Sequence, residues 1–215
     1  MASKLARPHE VIGSGTIRYR CIGPHEAPTG LVLAVDYTDA PVPQHYYVSD
    51  FVHVANLDPQ VLFVFGKKEG PGASGAQLRN KIEVFFPAIY FVNQLWKSSR
   101  DFHEVLRKMV QHFHYEISAI SPTDLSCAKV QTFHSNNVMI VLSGGEAMLD
   151  FFYISPRDLY LKPRRKERIE LEALVRVIIA PNLLLAMLDA CQPMAQALEE
   201  KYKEQEVTNE NLEFD

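Results

Sequence analysis

The densest group of side chains able to do chemistry is Lys162-Pro163-Arg164-Arg165-Lys166-Glu167-Arg168. Its bases, Lys162, Arg164, Arg165, Lys166 and Arg168, could contact phosphates or an acidic protein partner through long-range attraction. No aromatic residue interleaves with them, so stacking on single-stranded bases is not indicated. A solvated loop, or one lying on the acidic C-terminal segment, explains the same residues without a ligand.

Other constellations are weaker. Gly70-Pro71-Gly72-Ala73-Ser74-Gly75 fits G-x-G-x-x-G, but a dinucleotide site needs the last glycine to open a helix. Only Ala76 to Lys81 separate it from the next strand, and Pro71 lacks an N–H donor, which makes it a hairpin loop. His112 and His114, with His103 and His134, are the only histidine group. Residues two apart on a helix point about 200° apart and cannot share a metal there, although on an extended segment they could; a surface or helix-end role is expected, and no metal site. Asp150 stands amid Met148, Phe152 and Ile154, with no acid or base in a sequence relation to it. Cys21, Cys127 and Cys191 are widely spaced and form no CxxC pair, and are expected as free thiols in a reducing compartment. The G-x-S-x-G elbow, the P-loop and HExxH are absent, so no catalytic residue and no cofactor is expected.

The elements that would hold these residues read as two similar halves. Strands are expected over Thr16 to Ile22 and Leu31 to Tyr37, followed by a stiff Pro41-Val42-Pro43 connector. Runs at Phe51–Val54 and Val61–Phe65 flank an Asn56-Leu57-Asp58-Pro59 turn, and Ile82–Phe86 ends at Pro87, where a helix can begin. The order returns with Val138–Leu142, Ser143-Gly144-Gly145-Glu146 and Met148–Phe152, then Leu174–Ile179 and Pro181 opening a helix. The hairpins align at an offset of 87 and the prolines at 94. Between the halves, Phe102, Val105, Leu106, Met109, Val110 and Phe113 recur at helical spacing, with Ser98 or Ser99 available as N-cap. Val61–Phe65 and Phe151–Ile154 are apolar on both strand faces, so both faces need cover, from within the chain or from a partner.

The segment Arg176-Val177-Ile178-Ile179-Ala180-Pro181, a leucine-rich helix and Glu200-Lys201-Tyr202 resemble the tail of a short prokaryotic family, domain of unknown function 3467. The hairpin from Tyr47 to Gly66 and, less closely, Val138 to Ile154 is similar to that family's opening. The resemblance spans more than half of the chain in two pieces. It implies a fold and a prokaryotic or phage origin, and it supplies no catalytic residues; Ser155 to Glu172 is a long insert relative to it. At fold level, strands followed by a proline-started helix are also similar to the SecB export chaperone.

Composition bounds the rest. With 215 residues and 47% hydrophobic content, the chain can bury a core without staples. From Glu199 to Asp215 seven acids outnumber two bases, a local charge of −5 against −4 overall, so the remainder is nearly neutral and unlike a dedicated nucleic-acid binder. No run reaches the roughly 18 apolar residues of a membrane span, the N-terminus lacks a signal peptide's apolar core, and a cytoplasmic location is expected. The expected class is α+β: an antiparallel sheet from two diverged β-hairpin/strand-Pro-helix repeats, with helices packed on one face. The segments are N-terminal strands (1–40), a first repeat with its amphipathic helix (41–115), a second repeat (116–205) sharing its core, and an acidic tail (206–215). The expected function is a non-enzymatic protein-interaction or assembly module that binds a protein partner or itself. The alternatives are a SecB-like holdase, or a nucleic-acid accessory protein using residues 162–168.

Overall fold

The computed structural model describes residues 9–11, 17–19, 25–27, 30–32, 41–69, 77–112, 114, 129–143, 145–161 and 171–212. The class is α+β. Four short strands precede the halves: β1 (His9–Val11), β2 (Ile17–Tyr19), β3 (His25–Ala27) and β4 (Gly30–Val32). Two were expected; β2 falls within the first and β4 covers the start of the second, the rest of both expected strands (16, 20–22 and 33–37) lying outside the described residues.

The first half holds β5 (Tyr46–Val48), β6 (Phe51–Asn56), β7 (Gln60–Glu69) and β8 (Gln77–Pro87). A continuous helical segment follows: α1 (Ala88–Tyr90), a π-turn (Phe91–Trp96) and α2 (Lys97–His112). Ser98 and Ser99 therefore lie within α2 and do not cap it. The second half holds β9 (Val130–His134), β10 (Asn137–Ser143), β11 (Glu146–Tyr153), a short α3 (Pro156–Leu161), β12 (Glu172–Ile179) and α4 (Pro181–Leu212). Because α4 continues to Leu212, residues 206–212 of the acidic tail are helical. Among the described residues no helix is long and apolar enough to cross a membrane.

Alternation sets the strand faces. In β8, Ile82, Val84 and Phe86 are buried while Lys81, Glu83 and Phe85 are only partly so, the two-residue period of a strand with one face on a core. β12 does the same with Val175, Val177 and Ile179 inward. The hairpins β6–β7 and β10–β11 are antiparallel, as are β7–β8 and β11–β12. The sheets are not antiparallel throughout. β9, which opens the second half, pairs parallel with β8 of the first; β5, which opens the first half, pairs parallel with β12 of the second. One sheet thus runs β6-β7-β8-β9 and the other β1-β2-β10-β11-β12-β5. Each half closes the other's sheet.

The two halves correspond residue by residue. Phe51 faces Gly66 as Asn137 faces Phe152, and Phe63 faces Val84 as Leu149 faces Val177. The hairpins therefore superpose at an offset of 86 and the following strands at 93, one residue less than the alignment of apolar runs indicated. The difference matters because a one-residue slip exchanges the faces of a strand. Phe51 belongs to a small outer cluster with Val64 and Leu78, whereas Val138 belongs to the main core. Pro87 accordingly matches Ala180, not Pro181.

The corner joining each leading strand to its hairpin is also built twice. Ser49 donates its N–H to Ile178 O at 2.8 Å, and Ser135 donates to Phe85 O at 2.9 Å. The Ser49 hydroxyl donates to Gly66 O at 2.7 Å and the Ser135 hydroxyl to Phe152 O at 2.7 Å. Asp50 Oδ1 accepts Lys68 N–H at 2.7 Å; Asn136 Oδ1 accepts Ile154 N–H at 2.8 Å. Both serines are buried, so these bonds satisfy main-chain groups that water cannot reach.

One core serves both halves. Phe65 and Phe151, at corresponding positions, meet with ring centroids 6.0 Å apart, as equivalent residues do beside a two-fold axis. Phe63 lies 6.0 Å from Phe151 and 5.9 Å from Phe91. The helices cross over as the strands do: α4 packs on β6, the π-turn on β10, and α2 along α4. Lys201 of α4 also bonds Asp58 in the β6–β7 turn. Val61, Phe63, Val64 and Phe65 are buried, and so are Phe151, Phe152 and Ile154. The two-sided apolar strands are thus covered within the chain and do not by themselves present a surface to a partner.

Candidate protein-docking edge

Among the described residues apolar exposure is concentrated elsewhere, at the β5 edge of the six-stranded sheet. Pro41-Val42-Pro43 leads the chain to β5 with Pro43 buried, and β5 then runs along β12. In this parallel ladder alternate residues bond the neighbour: Arg176 donates its N–H to His45 O at 2.8 Å, and Ser49 to Ile178 O. The main-chain groups of Tyr46 and Val48 therefore point the other way, toward the open edge. Among the described residues no strand pairs with that side of β5.

Side chains alternate likewise. Tyr47 turns inward against the core, its hydroxyl donating to Gln131 Oε1 of β9, while Tyr46 and Val48 lie on the outer face, 69% and 59% exposed. Val42, in the approach to the strand, is 67% exposed. Beside Tyr46 in register is Arg176, and beside Val48 is the half-buried Ile178.

The second half provides an internal comparison. β9 occupies the corresponding place in the other sheet, with Phe133 where Tyr47 stands and Thr132 and His134 where Tyr46 and Val48 stand. Its exposed large apolar residue, Val130, lies at the strand's start. The fold is satisfied with polar side chains at both outer positions, so the exposed tyrosine and valine on β5 are not required by it.

Next to this edge lies the ion pair of the outer face. Asp150, 1% exposed, accepts two bonds from Arg176, Nε to Oδ1 at 2.6 Å and Nη2 to Oδ2 at 2.7 Å. The fork-to-fork match holds the guanidinium above its ordinary pKa, against a smaller opposing effect of burial. Val64 and Glu83 stand at these positions in the first half, so the pair belongs to the second half alone. Asp150 thus has a partner that sequence proximity did not reveal. Across the antiparallel β11–β12 ladder, residues 26 apart become direct neighbours. The signal for Arg176 was its isolation as the one charge between Ala173 and Pro181.

The other sequence candidates do not converge. Lys162, Arg164, Arg165, Lys166 and Arg168 lie outside the described residues, as does Gly70–Gly75; the chain is already a strand at Gln77. His103 on α2 bonds Asp189 of α4 at 2.9 Å, and His134 stacks on Phe85 with centroids 5.2 Å apart. His112 ends α2 and His114 follows in a left-handed turn at φ 54°. Among the described residues no three histidine, cysteine or acidic side chains are grouped to hold a metal. Cys191 is a buried free thiol whose pKa is pushed up to about 12 by burial, the opposite of an activated nucleophile. Cys21 and Cys127 lie outside the described residues.

No protein-family model, no curated protein and no solved structure matches the chain.

Proposed function

We propose that the chain is a non-enzymatic protein-interaction module of the cytoplasm that engages its partner at the β5 edge of the larger sheet. The observation supporting this reading is the exposure of Tyr46 and Val48 on an edge strand, where the corresponding positions of β9 carry Thr132 and His134. Exposed apolar side chains at an unpaired edge invite association, and proteins commonly blunt such edges with charge. The two halves are proposed to be diverged copies of one unit resembling domain of unknown function 3467. Their matching registers and serine corners support common descent.

The test transplants the second half's residues onto β5. Tyr46→Thr/Val48→His changes only exposed side chains, so stability should move by no more than about 0.5 kcal/mol. With the chain tagged at native abundance in its host, one partner at fixed stoichiometry should co-purify with the original sequence and be lost with the double variant. Retention of the partner by the variant would sink this reading. The second reading, a SecB-like holdase, draws on the same exposed residues. It would be favoured by a heterogeneous set of incompletely folded chains and by suppressed aggregation of a denatured test protein. Contact of residues 162–168 with nucleic acid would show in a gel-shift series as binding that weakens steeply with salt.

A further inference from the structure

We infer that the partner is bound as an added β-strand: a short, extended, uncharged segment of another protein, with apolar residues at alternate positions, laid along β5. The inference rests on the docking reading above and specifies what docks. Three observations favour this occupant. The main-chain groups of Tyr46 and Val48 face the open side of β5, so an incoming strand meets donors and acceptors as well as apolar side chains. Arg176, in register with Tyr46, is held bidentately by Asp150, so the position beside Tyr46 does not call for an acidic residue. The third is area. Val42, Tyr46 and Val48 together expose on the order of 350 Å², or about 700 Å² across a symmetric pair of copies, well short of the roughly 1,200 Å² of a stable dimer. A second copy is therefore a poor occupant, since even with β5 paired to β5 the area falls short, whereas a short strand of another protein does not have to hold two folded bodies together. β5 has only three paired residues, which limits the added strand to a similar length and disfavours open-ended stacking.

The experiment uses the full chain and proline as a probe of the edge. Val48→Pro and Tyr46→Pro each remove an N–H that points away from β12 and leave the Ser49 and Arg176 bonds in place, as edge strands tolerate. Melting temperature identifies which of the two stays folded. Each folded variant is titrated by fluorescence anisotropy with a labelled octapeptide alternating valine and threonine, and with the same residues in blocks. The expected result is binding of the alternating peptide, weakened at least tenfold by proline and weaker for the block peptide. Equal binding by a folded proline variant, or no binding of the alternating peptide, overturns the added strand. If Tyr46→Thr/Val48→His loses the co-purifying partner while a proline variant keeps it, docking at this edge stands and strand addition falls. If both keep it, the docking reading falls as well. A concentration-dependent dimer in sedimentation that proline abolishes would make the occupant a second copy and also overturn the inference.

Discussion

Replacing Phe151 by alanine should destabilise the whole chain by about 3–5 kcal/mol, near the upper end for a single core truncation. Phe151 is fully buried and touches Phe63 and Phe65 from the opposing sheet, so its loss opens a cavity and removes two aromatic contacts at once. Single domains are stable by only about 5–15 kcal/mol, so the effect should show as a large shift of the urea midpoint. The transition should stay single, because the core that Phe151 occupies draws on both sheets and on the π-turn, α2 and α4. Phe65→Ala should cost a comparable amount, and the double substitution less than the two together, since both remove one contact. A biphasic curve in which one half survives would contradict a shared core.

The second large effect concerns Asp150. Asp150→Val, which installs the residue found at the matching position of β7, should cost about 1–3 kcal/mol by leaving the half-buried Arg176 guanidinium without its partner. Replacing Arg176 as well, as Asp150→Val/Arg176→Thr, should restore most of that loss. The first half accommodates Val64 in the same place, and a buried ion pair adds little net stability over apolar packing. Chemical denaturation of the two single variants and the double variant measures the coupling. Additive losses would mean that Asp150 and Arg176 act separately.

The strands with the strongest apolar patterns were legible: β7, β8, β10, β11 and β12 all fall where the runs placed them, and Pro87 and Pro181 mark helix starts. α2 was legible from its spacing, with Leu106 and Val110 buried, although Val105 turns out 37% exposed. The leading strands were not. β5 and β9 are short, mixed in polarity and paired in parallel with strands of the other half, as Tyr46 is with Arg176. Local pattern carries no information about such a partner. A signal did exist in the repeated Ser-Asx-x-Val of Ser49-Asp50-Phe51-Val52 and Ser135-Asn136-Asn137-Val138, which fixes the offset at 86. Aligning apolar runs alone missed it, because the outward Phe51 resembles the inward Val138 in composition while occupying the opposite face. The exposed edge of β5 was illegible for the same reason. Tyr46 and Val48 look like any exposed or buried pair until the register with β12 shows which side of the sheet they occupy.

The exchange of leading strands is the feature from which the shared core and the open edge both follow, and amide hydrogen exchange tests it residue by residue. Ser49 donates to Ile178 and Ser135 to Phe85, so each amide is protected only while one half is bound to the other. Both should exchange at the rate set by global unfolding, and together, while the Tyr46 and Val48 amides exchange quickly in the free chain. Rapid exchange at Ser49 or Ser135 through a local opening, or strong protection at Val48 in the free chain, would contradict this account.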